Sequence, residues 1–274
     1  MLAILKKTVL IIAVTLVIIF FLQNTLMFHP NHDPQSWAYL VALPDFEALE
    51  FTYNRRTYHG ILRRNASGEP SPLILFFYGN ADNASRTMRA MHTLDVWPYF
   101  MNHNFLVVDY PGYGPGGRGR RDRPSARSIY EMALAAFDHA VTLPGVSQVI
   151  VGGYSIGTGP AVYVAAHREV GGLFLLAPFA NGFDLYNSVL PIFHGPLRRL
   201  VRNPFPSDQF AATINIPALL VASRHDEVIP FASPERLNRA FAGETTFVIL
   251  YDVRHTGVMF NQITLDSIRA YLSN

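Results

Sequence analysis

The chain of 274 residues contains no cysteine. Disulfides, thiolate metal sites and a cysteine nucleophile are therefore excluded. Lysine is nearly absent as well. Of the 22 Lys and Arg residues only Lys6 and Lys7 are lysines, and both precede the first acidic residue, Asp33. Beyond them arginines balance the 20 Asp and Glu residues, so the formal charge of +2 belongs to the N-terminal end alone. No basic excess is left over to call for a nucleic-acid partner.

Charge of either sign is missing from residues 8–28, TVLIIAVTLVIIFFLQNTLMF, and the next basic residue after the lysine pair is Arg55. A helix rising about 1.5 Å per residue crosses a hydrocarbon layer of about 30 Å with such a run. Lysines on its N-terminal side place that end in the cytoplasm and export the rest. The sequence thus predicts a single-pass membrane anchor over 1–28, with the rest of the chain extracytoplasmic. A cleaved signal peptide is the alternative, but Gln23-Asn24-Thr25 leads into bulky Leu26-Met27-Phe28 with no small-residue cleavage pattern. A buried helix of a soluble protein is a third reading.

Residues 29–44, with Pro30, Pro34 and Pro44, read as an extended linker to a domain over 45–274. Alternation in 49–53 and 57–62 around Asn54-Arg55-Arg56 predicts an antiparallel hairpin. Short continuous apolar runs follow at 73–77, 105–108, 148–151, 173–176, 218–222 and 247–250. Between them 88–99, 125–143, 156–169 and 234–242 carry helical periodicity. Strand–helix alternation with apolar strands predicts an α/β fold, a mostly parallel sheet with helices on both faces. Residues 181–214 depart from that rhythm and read as a small cap insertion. Their apolar side chains, Phe183, Leu185, Val189, Leu190, Ile192 and Phe193, suit an acyl chain.

Gly153-Tyr154-Ser155-Ile156-Gly157 follows an apolar run and opens a helical one. A serine on such a sharp strand-to-helix turn presents its hydroxyl, and flanking glycines let the two backbones pass closely. Serine needs a base, and the base needs a carboxylate to fix its tautomer. Asp226 and His255 each stand a few residues past a strand, in the order Ser155, Asp226, His255 that this turn requires. Glu227 competes with Asp226 as the carboxylate; His225 and Asp252 read as loop and turn residues. Backbone N–H groups of Ile156 and Asn80, the latter after the strand 73–77, are the candidate oxyanion donors. The Gly/Pro-rich loop beginning Asp109-Tyr110-Pro111-Gly112-Tyr113-Gly114 lacks the Lys-Ser/Thr ending of a nucleotide-binding loop and reads as a rigid pocket wall.

From Leu26-Met27-Phe28-His29-Pro30 to its end the chain resembles α/β-hydrolase fold serine hydrolases, in particular the membrane-anchored BEM46/YfhR-like group and its animal relatives. The resemblance rests on Phe77-Tyr78-Gly79-Asn80-Ala81-Asp82-Asn83, on residues 109–114 and 153–157, on Ala177-Pro178-Phe179, on Asp226-Glu227-Val228-Ile229-Pro230 and on His255. It implies Ser155 as nucleophile, Asp226 as acid and His255 as base, with Asn80 and Ile156 as oxyanion donors and no metal or cofactor. Tyr78 stands where that group usually has histidine, and Pro124-Ser125-Ala126 replaces its Pro-Ser-Glu. The expected activity is hydrolysis of carboxylic esters or thioesters, lipid-like ones included, with Tyr78, Phe179, Phe193 and His194 as pocket residues. A serine peptidase on the same triad and a non-catalytic binding protein retaining the fold are the alternatives.

Overall fold

The computed structural model describes residues 1–65, 69–100, 102–115, 117, 122–189 and 191–273; of the acyl-chain candidates, Leu190 and the side chain of Val189 lie outside what is described. The first element, α1 (Leu2–Met27), is one unbroken apolar helix. Its stretch Ile4–Met27 is long and apolar enough to cross a membrane. The helix stops at Phe28, whose backbone is extended, two residues before Pro30, which disfavours helical backbone at His29.

The segment read as an extended linker contains a short helix, α2 (Pro34–Val41). Asp33 caps it, accepting from the N–H groups of Gln35 and Ser36 at 3.0 and 3.1 Å. Proline at the first helical position, which sequence reading took for a breaker, is here a helix starter. Leu40 is fully buried on the domain.

Next come the hairpin strands β1 (Phe46–Tyr53) and β2 (Arg56–Arg63), paired antiparallel with Tyr53 opposite Arg56. The two-residue turn puts Asn54 and Arg55 at φ of 49° and 63°, the left-handed pair that a type I′ hairpin requires. Then follow β3 (Ser71–Phe77), α3 (Ala84–Thr93), β4 (Asn104–Val108), α4 (Ala126–Ala140), β5 (Val146–Tyr154), α5 (Thr158–His167), β6 (Gly172–Leu176), α6 (Gly182–Val189), α7 (Ser207–Ala211), β7 (Ala218–Ser223), α8 (Ala232–Ala240), β8 (Thr245–Leu250) and α9 (Gln262–Leu272). The sheet runs in the order β1-β2-β4-β3-β5-β6-β7-β8, and every pair after β2–β4 is parallel. Strands β4, β6 and β7 are buried at every position, which accounts for their uninterrupted apolar sequence.

Phe76, Phe105 and Phe174 face Met91, Phe100, Leu265 and Ile268, so α3 and α9 cover one face. On the other, α4, α5, α7 and α8 touch in succession; Tyr130 of α4 stacks on Tyr163 of α5 with centroids 4.0 Å apart. Helix α3 sits earlier than the periodicity of 88–99 suggests. Asn83 caps it, the left-handed Asp95 ends it, and Pro98 lies in a separate 3₁₀ turn, Trp97–Tyr99.

Strand β3, strand β5 and helix α5 meet where Gly153 and Gly157 stand. A Cβ on Gly157 would lie 2.1 Å from the Phe77 carbonyl oxygen, and one on Gly153 would lie 2.4 Å from the Gly157 oxygen. Overpacking of this kind costs about 1–3 kcal/mol. Gly157→Ala, at a backbone conformation that alanine adopts freely (φ −66°), is therefore expected to lower stability by about that amount, read by thermal or denaturant unfolding.

Candidate active site

Ser155 lies between β5 and α5 in a single 3₁₀ turn, Ser155–Gly157, with φ of 53°. Left-handed backbone costs a residue with a Cβ of the order of 1–2 kcal/mol, and here the turn enforces it. Thr158 Oγ1 donates to the Ser155 carbonyl at 2.7 Å and braces the turn. Strand β7 leads to Asp226 and strand β8 to His255, so all three side chains arrive at the carboxyl edge of the sheet, where open α/β sheets bind ligands.

There they form one chain of hydrogen bonds. Ser155 Oγ lies 2.9 Å from His255 Nε2, and His255 Nδ1 lies 2.7 Å from Asp226 Oδ2. With a proton on Nδ1 donated to the carboxylate, Nε2 presents its lone pair to the serine hydroxyl. Asp226 is held by the backbone N–H groups of Val228 and Ile229, both at 2.8 Å to Oδ1. Glu227, the competing carboxylate, instead accepts from the His255 backbone N–H at 3.0 Å and pairs with Arg254. That backbone bond holds its carboxyl below the usual range. It fixes the turn carrying the histidine, not the ring. Tyr154 adds a second brace, its hydroxyl donating to the His255 carbonyl at 3.0 Å. Asp252 is a left-handed turn residue whose N–H donates to His225 Nδ1.

Asn80, Ser155 and Ile156 line one apolar cavity of about 250 Å³. The Asn80 side chain is fully engaged: Oδ1 accepts from the N–H groups of His29 and Ala81 and from the Tyr113 hydroxyl, and Nδ2 donates to the Met27 carbonyl at 2.6 Å. These bonds fix the loop after β3 at the wall of the cavity.

Of the four residues assigned to the pocket, Phe193 lines it. Phe179 does not; it is fully buried behind α5, edge-on to Phe205. His194 does not either, being exposed at the start of the 3₁₀ turn Gly195–Leu200. Tyr78 is also wholly buried and points away from the cavity. Its hydroxyl donates to Asp109 Oδ1 at 3.3 Å and accepts from the Tyr110 N–H at 3.0 Å, while the Tyr110 hydroxyl donates to the Tyr78 carbonyl at 2.6 Å. The phenol thus ties the loop after β3 to the end of β4 from beneath.

Of the remaining cavity wall the sequence reading had only Leu185, among the apolar side chains of the cap insertion. Ile19, Gln23, Leu26 and Met27 of α1 line it together with His29, Leu185, Tyr186, Ser188 and Val228. One signal was present in the sequence: Gln23 and Asn24 interrupt an otherwise apolar run, and amides in such a helix mark a packed face.

No protein-family model matches the chain. An uncharacterized protein of Mycobacterium tuberculosis is 29% identical over 255 residues, covering 92% of this chain and 87% of its own length. The α/β-hydrolase domain-containing protein aho-3 of Caenorhabditis elegans is 29% identical over 161 residues, 58% of this chain and 45% of that protein. Among solved structures, 2,6-dihydroxy-pseudo-oxynicotine hydrolase superposes with a TM-score of 0.70 at 16% identity, over 85% of this chain and 69% of that one. The chain has the α/β-hydrolase fold. Ser155 stands on the strand-to-helix turn between β5 and α5 of that fold, and the likeness to animal α/β-hydrolase domain-containing proteins agrees with it.

Beneath the loop after β3 lies Asp109, buried, with burial raising its carboxyl to about 7. Its Oδ1 accepts from the Ala84 N–H at 2.8 Å, and among the described residues Oδ2 has no hydrogen-bond partner. The folded value lies above the unfolded one of about 3.9. The folded state therefore keeps a proton that the unfolded state releases, and this group's contribution to stability falls as pH rises from about 4 to about 7. Asp109→Asn removes that slope. The difference in melting temperature, variant minus wild type, is expected to grow more positive across that window in a pH series of thermal unfolding.

Proposed function

We propose that the chain is a membrane-anchored serine hydrolase that cleaves carboxylic esters or thioesters through an acyl-enzyme. The observation that carries this reading is the unbroken line from Ser155 Oγ to His255 to Asp226 at 2.9 and 2.7 Å, within the reach that proton transfer requires. Ser155 Oγ attacks the acyl carbon as His255 Nε2 takes its proton, and Asp226 stabilises the resulting imidazolium. The carbonyl oxygen gains negative charge facing the backbone N–H groups of Ile156 and Asn80, which act as its donors. His255 then returns the proton to the departing alcohol or thiol. Water enters, gives a proton to His255 and hydrolyses the ester on Ser155, restoring the hydroxyl.

The apolar cavity beside the serine supports an acyl group over a peptide as the bound half of the substrate. Lys6 and Lys7 before α1 support a cytoplasmic N-terminus and an exported domain. A non-catalytic binding role rested on Tyr78 in place of histidine; its phenol supplies bonds that hold the oxyanion loop, which favours the catalytic reading.

A fluorophosphonate probe is expected to label the detergent-solubilised protein and to leave Ser155→Ala unlabelled; a wild type that fails to label refutes the hydrolase reading. Asp226→Asn should keep the fold and lower kcat on a p-nitrophenyl ester by about 10⁴-fold, since the histidine tautomer is then wrong.

A further inference from the structure

The cavity that holds Ser155 is closed on one side by the apolar helix. Ile19, Gln23, Leu26 and Met27 form that wall, and Leu185, Tyr186 and Phe193 of the cap insertion stand among the other lining residues. The helix is not merely lying nearby. Gln23 is almost wholly buried, donating to the Leu200 carbonyl and accepting from the Arg202 N–H, both at 2.8 Å. Asn24 donates to the Pro124 carbonyl at 3.1 Å and accepts from Asn203 Nδ2 at 2.8 Å. Asn203, itself buried, also donates to the Tyr186 hydroxyl at 3.0 Å and accepts from the Ala126 N–H at 2.9 Å. One amide therefore joins the apolar helix, the cap and the start of α4.

The same helix is exposed along its first half: Ile4, Leu5, Val9, Leu10, Ile11, Ile12, Val14 and Val17 all face outward. From Ile4 to Gln23 it rises about 28 Å at about 1.5 Å per residue, close to the hydrocarbon thickness of about 30 Å. Gln23 and Asn24 then fall at the membrane surface, and Ile19 about one turn inside it. Leu26 both lines the cavity and is 55% exposed, so it forms an open lip about one turn beyond that surface.

We propose that the helix is a working wall of the acyl site, and that the substrate is a single-chain membrane lipid ester whose acyl chain slides sideways from the bilayer past Leu26 and Ile19. The proposal rests on the serine hydrolase reading and adds the substrate class and the route. A cavity of about 250 Å³ falls just below the usual range of ligand sites, roughly 300 to 1,000 Å³, and so takes one chain rather than two. It follows that the helix stays on the mature protein, because removing it would open the cavity and take from the buried Asn203 Nδ2 one of its two acceptors.

The test uses the full chain in phosphatidylcholine vesicles and a dodecyl fluorophosphonate bearing a diazirine near the chain end. After attachment to Ser155 and irradiation, mass spectrometry is expected to find the cross-link on a peptide containing residues 19–29. Cross-links confined to other peptides overturn the inference while leaving the hydrolase reading intact. Absence of labelling overturns that reading and the inference together. In parallel, Ile19→Trp should lower the ratio of kcat/KM for p-nitrophenyl laurate over p-nitrophenyl acetate by about 10-fold or more, as a narrowed apolar pocket discriminates by chain length. Leu22→Trp, on the outward side of the same helix, should leave that ratio as in the wild type. An equal ratio in both variants overturns the wall.

Discussion

The structure of the site depends on the close approach between the end of β3 and the start of α5, where Gly157 lies against the Phe77 carbonyl with no room for a methyl group. That contact forces the chain to reverse within one turn and leaves Ser155 in left-handed backbone with its hydroxyl over the sheet edge. The positions of His255 and Asp226 matter only because the serine is held there. The loop after β3 is fixed by the same contact, which brings Asn80 and Ile156 to one wall of the cavity. A strand, a helix and a loop are thus brought into register by two hydrogen atoms where side chains would stand.

Beneath this site the polar groups follow a different logic. Tyr78, Asp109 and Tyr110 are buried and answer one another's hydrogen-bonding needs nearly completely, the exception being one oxygen of Asp109. Burial raises both phenols well above their usual range and keeps them neutral donors. A network of neutral hydroxyls around one carboxyl is a stiff support for the loop that carries Asn80 to the cavity.

Much of this was legible in the sequence. The parallel strands showed as uninterrupted apolar runs because both faces of the sheet are covered, and the order of Ser155, Asp226 and His255 followed from the strand ends they stand on. What was not legible has identifiable causes. Asp33-Pro34 reads equally as a loop or as a helix start, and only the docking of Leu40 decides for α2. Tyr78 and Phe179 sit in motifs that border the site, but their side chains turn to the far side of the loop and of α5, which adjacency in sequence does not reveal. The wall contributed by Ile19, Gln23, Leu26 and Met27 joins residues about 130 positions away from Ser155; its only local sign was a pair of amides in an apolar run.

Asn24 and Asn203 meet across 179 positions of chain, and Gln23 meets Leu200 across 177. A contact that closes so much sequence carries its loop entropy before it returns any stabilisation. The helix precedes these partners in the chain, and Leu200 and Asn203 are made only after β6. Docking of the helix against them therefore belongs to the end of folding. Until that moment the serine has neighbours but no enclosed cavity, so maturation of the site is coupled to the seating of the helix on the folded domain.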